Sequence, residues 1–141
     1  MNTELPRRYV LDSYALLVLL HEESGANDVE RMIRDAKQGK TLLWMNLINL
    51  GEVLYNVLRL RGAEFAAEME AEIFQLPIEF VTSNWTIVRK AAFIKWRTPI
   101  AFADCFAAAT AITYQAELVT GDPEFEKLDV EISICWLPRK K

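Results

Sequence analysis

Short apolar segments alternate with helix-like segments along this chain, and this alternation restricts the possible folds more than any other feature. Strand-like segments are predicted at RRYVLD (7–12), TLLWM (41–45), IEFVT (78–82), ELVTGD (117–122) and EISICW (131–136). Strands that alternate with helices build mainly parallel sheets whose two faces are covered by helices. The sequence therefore predicts an α/β fold: a three-layer α/β/α sandwich with a mainly parallel, four- or five-stranded central sheet.

The helix-like segments are recognised by apolar spacing and by their end signals. Helices are predicted over about 13–21, 24–37, 47–61, 63–75, 84–96 and 101–115. Ser13 is expected to cap the first of them, and Ser83 or Asn84 the fifth. Gly62 is expected to end the long third helix, so that 63–75 folds back as the second arm of a helical hairpin.

Length and composition favour one domain over residues 1–141. A chain of 141 residues that is 52% hydrophobic can bury a continuous core. The longest uncharged run, 105–116, is shorter than the roughly 20 apolar residues that span a bilayer. The N-terminus also lacks the pattern of a secretory signal. We expect no membrane helix and a cytoplasmic protein, with Cys105 and Cys135 as buried free thiols.

Asp12, Glu52 and Asp104 each stand alone in an apolar run: YVLDSYALLVLL, MNLINLGEVLYNVL and IAFADCFAAATAI. None of these runs contains Lys, Arg or His, and an unpaired buried carboxylate is costly. Asp12 and Asp122 follow strands, while Glu52 and Asp104 lie in early helix turns near the same sheet edge. Gathered there, the four acids would suit Mg²⁺ or Mn²⁺ and predict a metal-dependent enzyme that cleaves phosphodiester bonds.

Each acid also has an ordinary explanation. Asp12 could cap the first helix, and Asp122 could form an Asx turn. Asp104 could be stabilised by a helix dipole, and Glu52 by an arginine of its own helix. Their joint occurrence at one predicted edge favours the shared site.

Other polar residues could support this site. Ser13, Asn49 and Thr120 lie close to the acids in sequence or on the same helix face and could orient a carboxylate or a water. The basic pairs Arg59/Arg61 and Lys95/Arg97 could contact RNA phosphates, or they could be solvated helix ends. His21 is interpreted as an exposed helix-end residue, and the four tryptophans as core or interface residues rather than base-stacking platforms.

The ordered motifs YVLDSYALL, INLGEVLY, IAFADCFAAATA and VTGDPEF resemble the PIN domain family, especially VapC-type toxins of toxin–antitoxin pairs. The resemblance covers nearly the whole chain. It implies that Asp12, Glu52, Asp104 and Asp122 are the catalytic, metal-binding quartet, that Mg²⁺ or Mn²⁺ is the cofactor, and that the reaction is endoribonuclease cleavage. It also implies a homodimer and a small antitoxin partner.

Two further classes of function remain open from the residues. A non-catalytic PIN-like module could bind RNA or protein, although binding alone does not require four acids. A phosphoacceptor or phosphatase domain could use an acidic pocket and Mg²⁺, but Asp12-Ser13-Tyr14 matches the motifs of these classes poorly. The formal charge of −4 equals the charge of the four acids, so positive and negative charges balance over the rest of the chain. Such a protein could still bind RNA, but it would require a local basic patch.

Overall fold

The strands form one parallel sheet. This computed structural model describes residues 4–128 and 132–138. The strands are β1 (Arg7–Leu11), β2 (Thr41–Asn46), β3 (Glu79–Val81), β4 (Glu117–Thr120) and β5 (Ile134–Trp136). They lie in the order β3-β2-β1-β4-β5, and every neighbouring pair is parallel. The predicted parallel sheet is confirmed, with five strands.

The helices connect successive strands. They are α1 (Ser13–Leu20), α2 (Ala26–Lys37), α3 (Leu47–Ile73), α4 (Trp85–Arg97) and α5 (Phe102–Tyr114), followed by a 3₁₀ helix at Pro123–Lys127. Asn84 caps α4 as predicted, since its side chain accepts a hydrogen bond from the Ile87 amide. The prediction that Ser13 caps α1 is wrong, because Asp12 occupies that position.

Side chains on the two faces of the sheet pack into separate cores. In β1, Val10 belongs to a core shared with α4 and α5, whereas Tyr9 and Leu11 belong to a core shared with α1, α2 and α3. This alternation follows from the two-residue period of a strand. Both sheet faces are covered, which confirms the predicted three-layer sandwich.

The long helix α3 changes direction at Gly62. The backbone of Gly62 has φ 83° and ψ 174°, a conformation outside the helical region that glycine adopts readily. Leu50 and Leu54 before this break line the same small cavity as Glu70 and Ile73 after it. The two arms therefore lie side by side, as the predicted hairpin requires. In the described part of the chain, no helix is long and apolar enough to cross a membrane.

The two cysteines are free thiols, as predicted, but they differ in burial. Cys105 on α5 is fully buried in the core beneath α4. Cys135 lies on the edge strand β5 and is only half-buried, so the prediction that both thiols are buried is wrong for this residue. An edge strand has a neighbour on one side only, which leaves its side chains nearer to solvent.

Candidate active site

Asp12 stands at the carboxyl end of the central strand β1 and is almost fully buried, with 1% of its surface exposed. Its Oδ1 accepts a hydrogen bond from the Ala15 amide at 2.8 Å, which caps α1. The ordinary explanation of Asp12 as a helix cap is therefore correct. The second carboxylate oxygen remains for other partners, so capping and a role in a site are compatible.

Thr120 links Asp12 to the neighbouring strand end. The Thr120 side chain hydrogen-bonds to the Asp12 carboxylate, and its Oγ1 accepts a hydrogen bond from the Asp122 amide at 3.0 Å. The half-buried Asp122 accepts from the Glu124 amide at 2.9 Å, which is the Asx-type turn anticipated as its ordinary explanation. Thr120 thus contacts both strand ends that carry Asp12 and Asp122.

Asp104 lies in the first turn of α5 and is 9% exposed. Asn49 of α3 is buried and donates through Nδ2 to the carbonyl oxygen of Ala103 at 3.0 Å. The same Nδ2 lies 3.5 Å from Oε1 of Glu52. Asn49 therefore connects the helix that carries Glu52 to the turn that carries Asp104.

Glu52 is exposed, so the expectation that all three isolated acids are buried is wrong for this residue. The inward-facing stripe of α3 consists of Asn49, Val53 and Val57 at four-residue spacing, and Glu52 lies outside it. Several apolar side chains around Glu52 also face solvent, including Ile48 at 45% and Tyr55 at 66% exposure. An apolar sequence context therefore did not guarantee a buried position.

Burial and mutual repulsion raise the pKa values of two acids. Burial, and to a smaller extent the charges of Asp104 and Asp122, raise the pKa of Asp12 to about 7, while hydrogen bonds from Thr120 and Ala15 oppose this rise. These groups therefore share one electrostatic environment although they come from three separate chain segments.

Asp104 behaves in the same way. Burial first, and then the negative charges of Asp122, Glu52 and Glu124, raise its pKa to about 7. Glu124 was missed in the sequence analysis, where VTGDPEF was considered only for its aspartate. It lies on the 3₁₀ helix that follows Asp122 and its side chain pairs with Lys127 at 3.0 Å.

The donor chemistry of this edge fits a hard divalent cation. All of the acidic groups offer oxygen, and Oδ1 of Asn49 is buried without a hydrogen-bond partner in the described structure. However, among residues 4–128 and 132–138, no group of three or more Asp, Glu, His or Cys side chains is arranged closely enough to hold a metal ion. The acids therefore face a common region without forming a closed coordination shell.

An open cleft of about 1110 Å³ lies beside Asp122, although none of the four acids is among its lining residues. Tyr14, His21, Asn56, Gly121 and Pro123 are among its lining residues, and the last two flank Asp122. His21 is half-buried and its Nε2 lies 3.1 Å from Oδ1 of Asn56, so its interpretation as an exposed residue is wrong. The contact joins residues 35 positions apart, which the sequence did not reveal.

A second polar cluster, also missed in the sequence analysis, supports the same sheet edge. Asn46 ends β2 and is fully buried. Its Nδ2 donates to Ser83 Oγ at 2.9 Å and to Thr110 Oγ1 at 3.0 Å, while its Oδ1 accepts from the Ile48 amide at 2.8 Å. The cluster fixes the start of α3 against α5. An asparagine directly after the apolar run TLLWM was the available signal.

The basic residues singled out in the sequence occupy different environments. The Arg61 guanidinium lies 4.0 Å from the centre of the Phe65 ring, and Arg59 is exposed on the same arm of α3. Lys95 donates to the carbonyl oxygen of Ile100 at 2.6 Å, just before α5. Arg97 is exposed at the end of α4. Ser13, the remaining supporting candidate, is half-buried at the start of α1.

The sheet order and its acidic edge define a parallel α/β protein with a carboxylate-rich candidate site. A family model described as PIN domain matches residues 9–131, and the chain belongs to the PIN domain family. This confirms the family resemblance inferred from the ordered motifs and disfavours the phosphoacceptor and phosphatase alternatives. A search of curated proteins found no match.

Solved structures share the fold at low sequence identity. VapBC2 from Rickettsia felis, bound to a DNA fragment from its promoter, is 20% identical with a TM-score of 0.72, covering 93% of this chain and 99% of that chain. DNA-bound VapBC from Salmonella typhimurium is 17% identical with a TM-score of 0.72, covering 91% and 96%. VapC20 from Mycobacterium tuberculosis, a Sarcin-Ricin loop cleaving toxin, is 14% identical with a TM-score of 0.66, covering 84% and 92%.

Proposed function

We propose that this protein is a metal-dependent endoribonuclease, the toxin of a VapBC-type toxin–antitoxin system. The observation that carries the proposal is the pairing of Asp12 and Asp104. These acids come from distant parts of the sequence and lie buried at the carboxyl edge of the sheet, and the charge of Asp104 contributes to the raised pKa of Asp12. Proteins retain such costly groups at functional sites. The reaction class is inferred from membership of the PIN domain family and from the structural similarity to VapBC.

The proposed catalytic and metal-binding residues are Asp12, Glu52, Asp104 and Asp122. Their carboxylates would hold Mg²⁺ or Mn²⁺, with Asn49 and Thr120 fixing their orientation and Ser13 adjacent. When bound, the cation would neutralise phosphate charge and lower the pKa of the attacking water. Glu52 is exposed on α3, and its side chain has three rotatable bonds, so the carboxylate can turn towards Asp104. The charge of Glu52 already contributes to the raised pKa of Asp104.

The RNA would approach through the open cleft beside Asp122. Arg59, Arg61, Lys95 and Arg97 are the proposed phosphate contacts, because they supply positive charge on helices that carry or adjoin the acids.

A small antitoxin and a second copy of this chain are the proposed protein partners, in the cytoplasm. The structural neighbours include complexes of VapBC pairs, which supports an antitoxin. Leu47, Ile48, Leu58 and Leu60 expose between 39% and 53% of their surfaces on the first arm of α3, which is apolar area that a partner could cover. Light scattering after size-exclusion chromatography would measure the oligomer; a monomer at all concentrations would contradict the homodimer.

The nuclease proposal is tested by cleavage of structured RNA. The purified protein should cleave with Mg²⁺ or Mn²⁺ and stop when a chelator is added. Asp104→Asn should remove cleavage while preserving the fold, because the amide keeps the shape but loses the charge that holds a cation. Asp28→Asn is the matched control, since Asp28 pairs with Arg31 on the surface of α2. Unchanged cleavage by folded Asp104→Asn protein would reject the site.

A second candidate is a non-catalytic PIN-like module that binds RNA or protein. The observations that support this candidate are the exposure of Glu52 and the absence, among the described residues, of three acids close enough to hold a metal ion. Titration calorimetry separates the two: measurable Mn²⁺ binding that is lost in Asp104→Asn supports the nuclease, and no heat of binding in the wild type supports the module.

A further inference from the structure

Helix α4 presents aromatic side chains to solvent on the face opposite the core. Trp85 is 71% exposed, Phe93 48% and Trp96 80%. With Arg89, they are spaced by four, four and three residues, so they share one face of the helix. The inward face carries Ile87, Ala91 and Ile94. Tryptophan is usually well buried, so two highly exposed copies on one helix face call for an explanation.

The same helix is strongly basic. Between its ends it carries Arg89, Lys90, Lys95 and Arg97 and no acidic residue, although the whole chain has a charge of −4. The guanidinium of Arg89 lies 4.7 Å from the centre of the Phe93 ring, and the Phe93 and Trp96 rings meet edge to face at 6.3 Å. These contacts hold part of the face in a fixed arrangement. The charge of the helix complements a polyanion.

The aromatic face ends close to the acidic edge. Helix α4 stops at Arg97, and α5 begins at Phe102 with Asp104 in its first turn. Lys95 in the last turn of α4 donates through Nζ to the carbonyl oxygen of Ile100 at 2.6 Å, which places its ammonium group just before the helix that carries Asp104. A strand lying along α4 would therefore lead towards the carboxylates.

We propose that the outward face of α4, comprising Trp85, Arg89, Phe93 and Trp96, binds single-stranded RNA by stacking bases on its rings. Exposed aromatic rings combined with positive charge are the recurring means of binding single strands without sequence preference. Eleven residues separate the two tryptophans, a helical rise of about 16 Å, which matches roughly five stacked nucleotides. Of the four tryptophans interpreted as core or interface residues, Trp44 of β2 is buried, and the proposal gives the exposed Trp85 and Trp96 a base-stacking role instead.

This inference rests on the proposed ribonuclease function for its biological meaning, but binding is measured without cleavage. The experiment uses Asp104→Asn protein in chelator at low salt, with a fluorescent eight-nucleotide oligouridylate and an abasic ribose-phosphate oligomer of equal length. Trp85→Ala and Trp96→Ala should each weaken oligouridylate binding roughly tenfold and leave abasic binding nearly unchanged. Trp96→Phe should retain most of the affinity.

Phe74→Ala is the matched control, because Phe74 is an aromatic residue of 52% exposure at the end of α3, a helix that packs on the other sheet face. It should bind as the parent protein does. Should Trp96→Ala fail to fold, the tryptophan fluorescence of Trp96→Phe gives the answer: oligouridylate should quench emission less than in the parent, and equal quenching overturns the proposal.

Two results oppose the inference. Equal oligouridylate affinity in the parent and both alanine variants overturns it. Equal affinity combined with conversion of a dimer to a monomer in those variants would assign the face to a second copy of the chain, which also overturns it. Failure of the wild-type protein to cleave RNA with either Mg²⁺ or Mn²⁺ would reject the nuclease proposal and leave the binding result intact.

Discussion

Removing the charge of Asp104 should make the metal-free protein more stable at neutral and alkaline pH. Burial and neighbouring negative charges raise the pKa of this carboxyl from 3.8 to about 7. A rise in pKa of this size means that ionisation of the group lowers the stability of the folded state by about 4 kcal/mol. Asp104 borders solvent and shares its field with other acids, so we expect about 1–2 kcal/mol to be measurable.

The sign of the pH dependence follows from proton binding. Because the folded pKa lies above the unfolded pKa, the folded state binds more protons between pH 3.8 and about 7. This contribution to stability is fully present below pH 3.8 and is lost as the pH rises through 7. Asp12, with a pKa also raised to about 7, acts in the same direction. The metal-free protein should therefore be less stable at pH 8 than at pH 5.5.

Urea denaturation in chelator at both pH values measures these differences. Asp104→Asn should unfold at higher urea than wild type at pH 8 and should show a flatter pH profile. Mn²⁺ should stabilise wild type and have little effect on the variant, since only the wild type keeps the full charge set. An Asp104→Asn protein that is less stable than wild type at pH 8 in chelator would refute the account of Asp104 as an unpaired buried charge.

Two local predictions concern the ends of β1 and β4. Asp12→Ala removes a buried charge but also the acceptor of the Ala15 amide, and losing this helix cap should cost about 1 kcal/mol. Asp12→Asn removes the charge and keeps the cap. Thermal unfolding in chelator should therefore show that Asp12→Asn is the more stable of the two variants. Gly121→Ala should cost about 1–3 kcal/mol, because a Cβ there would come within 2.6 Å of Cζ of Tyr14. Gly51→Ala on α3 is its control and should be neutral or stabilising, since a Cβ there meets no atom within 4 Å, and equal losses in the two variants would contradict the steric explanation.

The sheet and most helix boundaries were predictable because their signals are local. Strand-length apolar runs, the cap at Asn84 and the break at Gly62 depend on neighbouring residues only. Contacts between distant segments were not predictable in this way. The pairing of His21 with Asn56 across 35 residues depends on how α1 packs against α3, for which a single sequence holds no direct signal.

The exposure of Glu52 illustrates the same limit within the candidate site. Its surrounding run is also largely apolar, yet Glu52 faces solvent whereas Asp104 is 9% exposed. The difference arises from packing: α5 lies beneath α4 in the core, so most of its circumference is covered, whereas the first arm of α3 buries a single stripe. Hydrophobic context predicts burial only when neighbours surround the whole helix.

The electrostatics of the sheet edge connect stability to the proposed function. The groups that shift the pKa values of Asp12 and Asp104 include several acids and no base. Hydrogen bonds from Thr120 and Ala15 reduce the cost for Asp12 without cancelling it. The folded protein thus holds negative charge in place before any cation arrives, and part of the free energy of cation binding would come from relief of that repulsion. The stronger the repulsion between the acidic side chains, the more free energy a bound cation would release by neutralising it. The same residues that destabilise the metal-free protein would therefore stabilise the metal-bound protein.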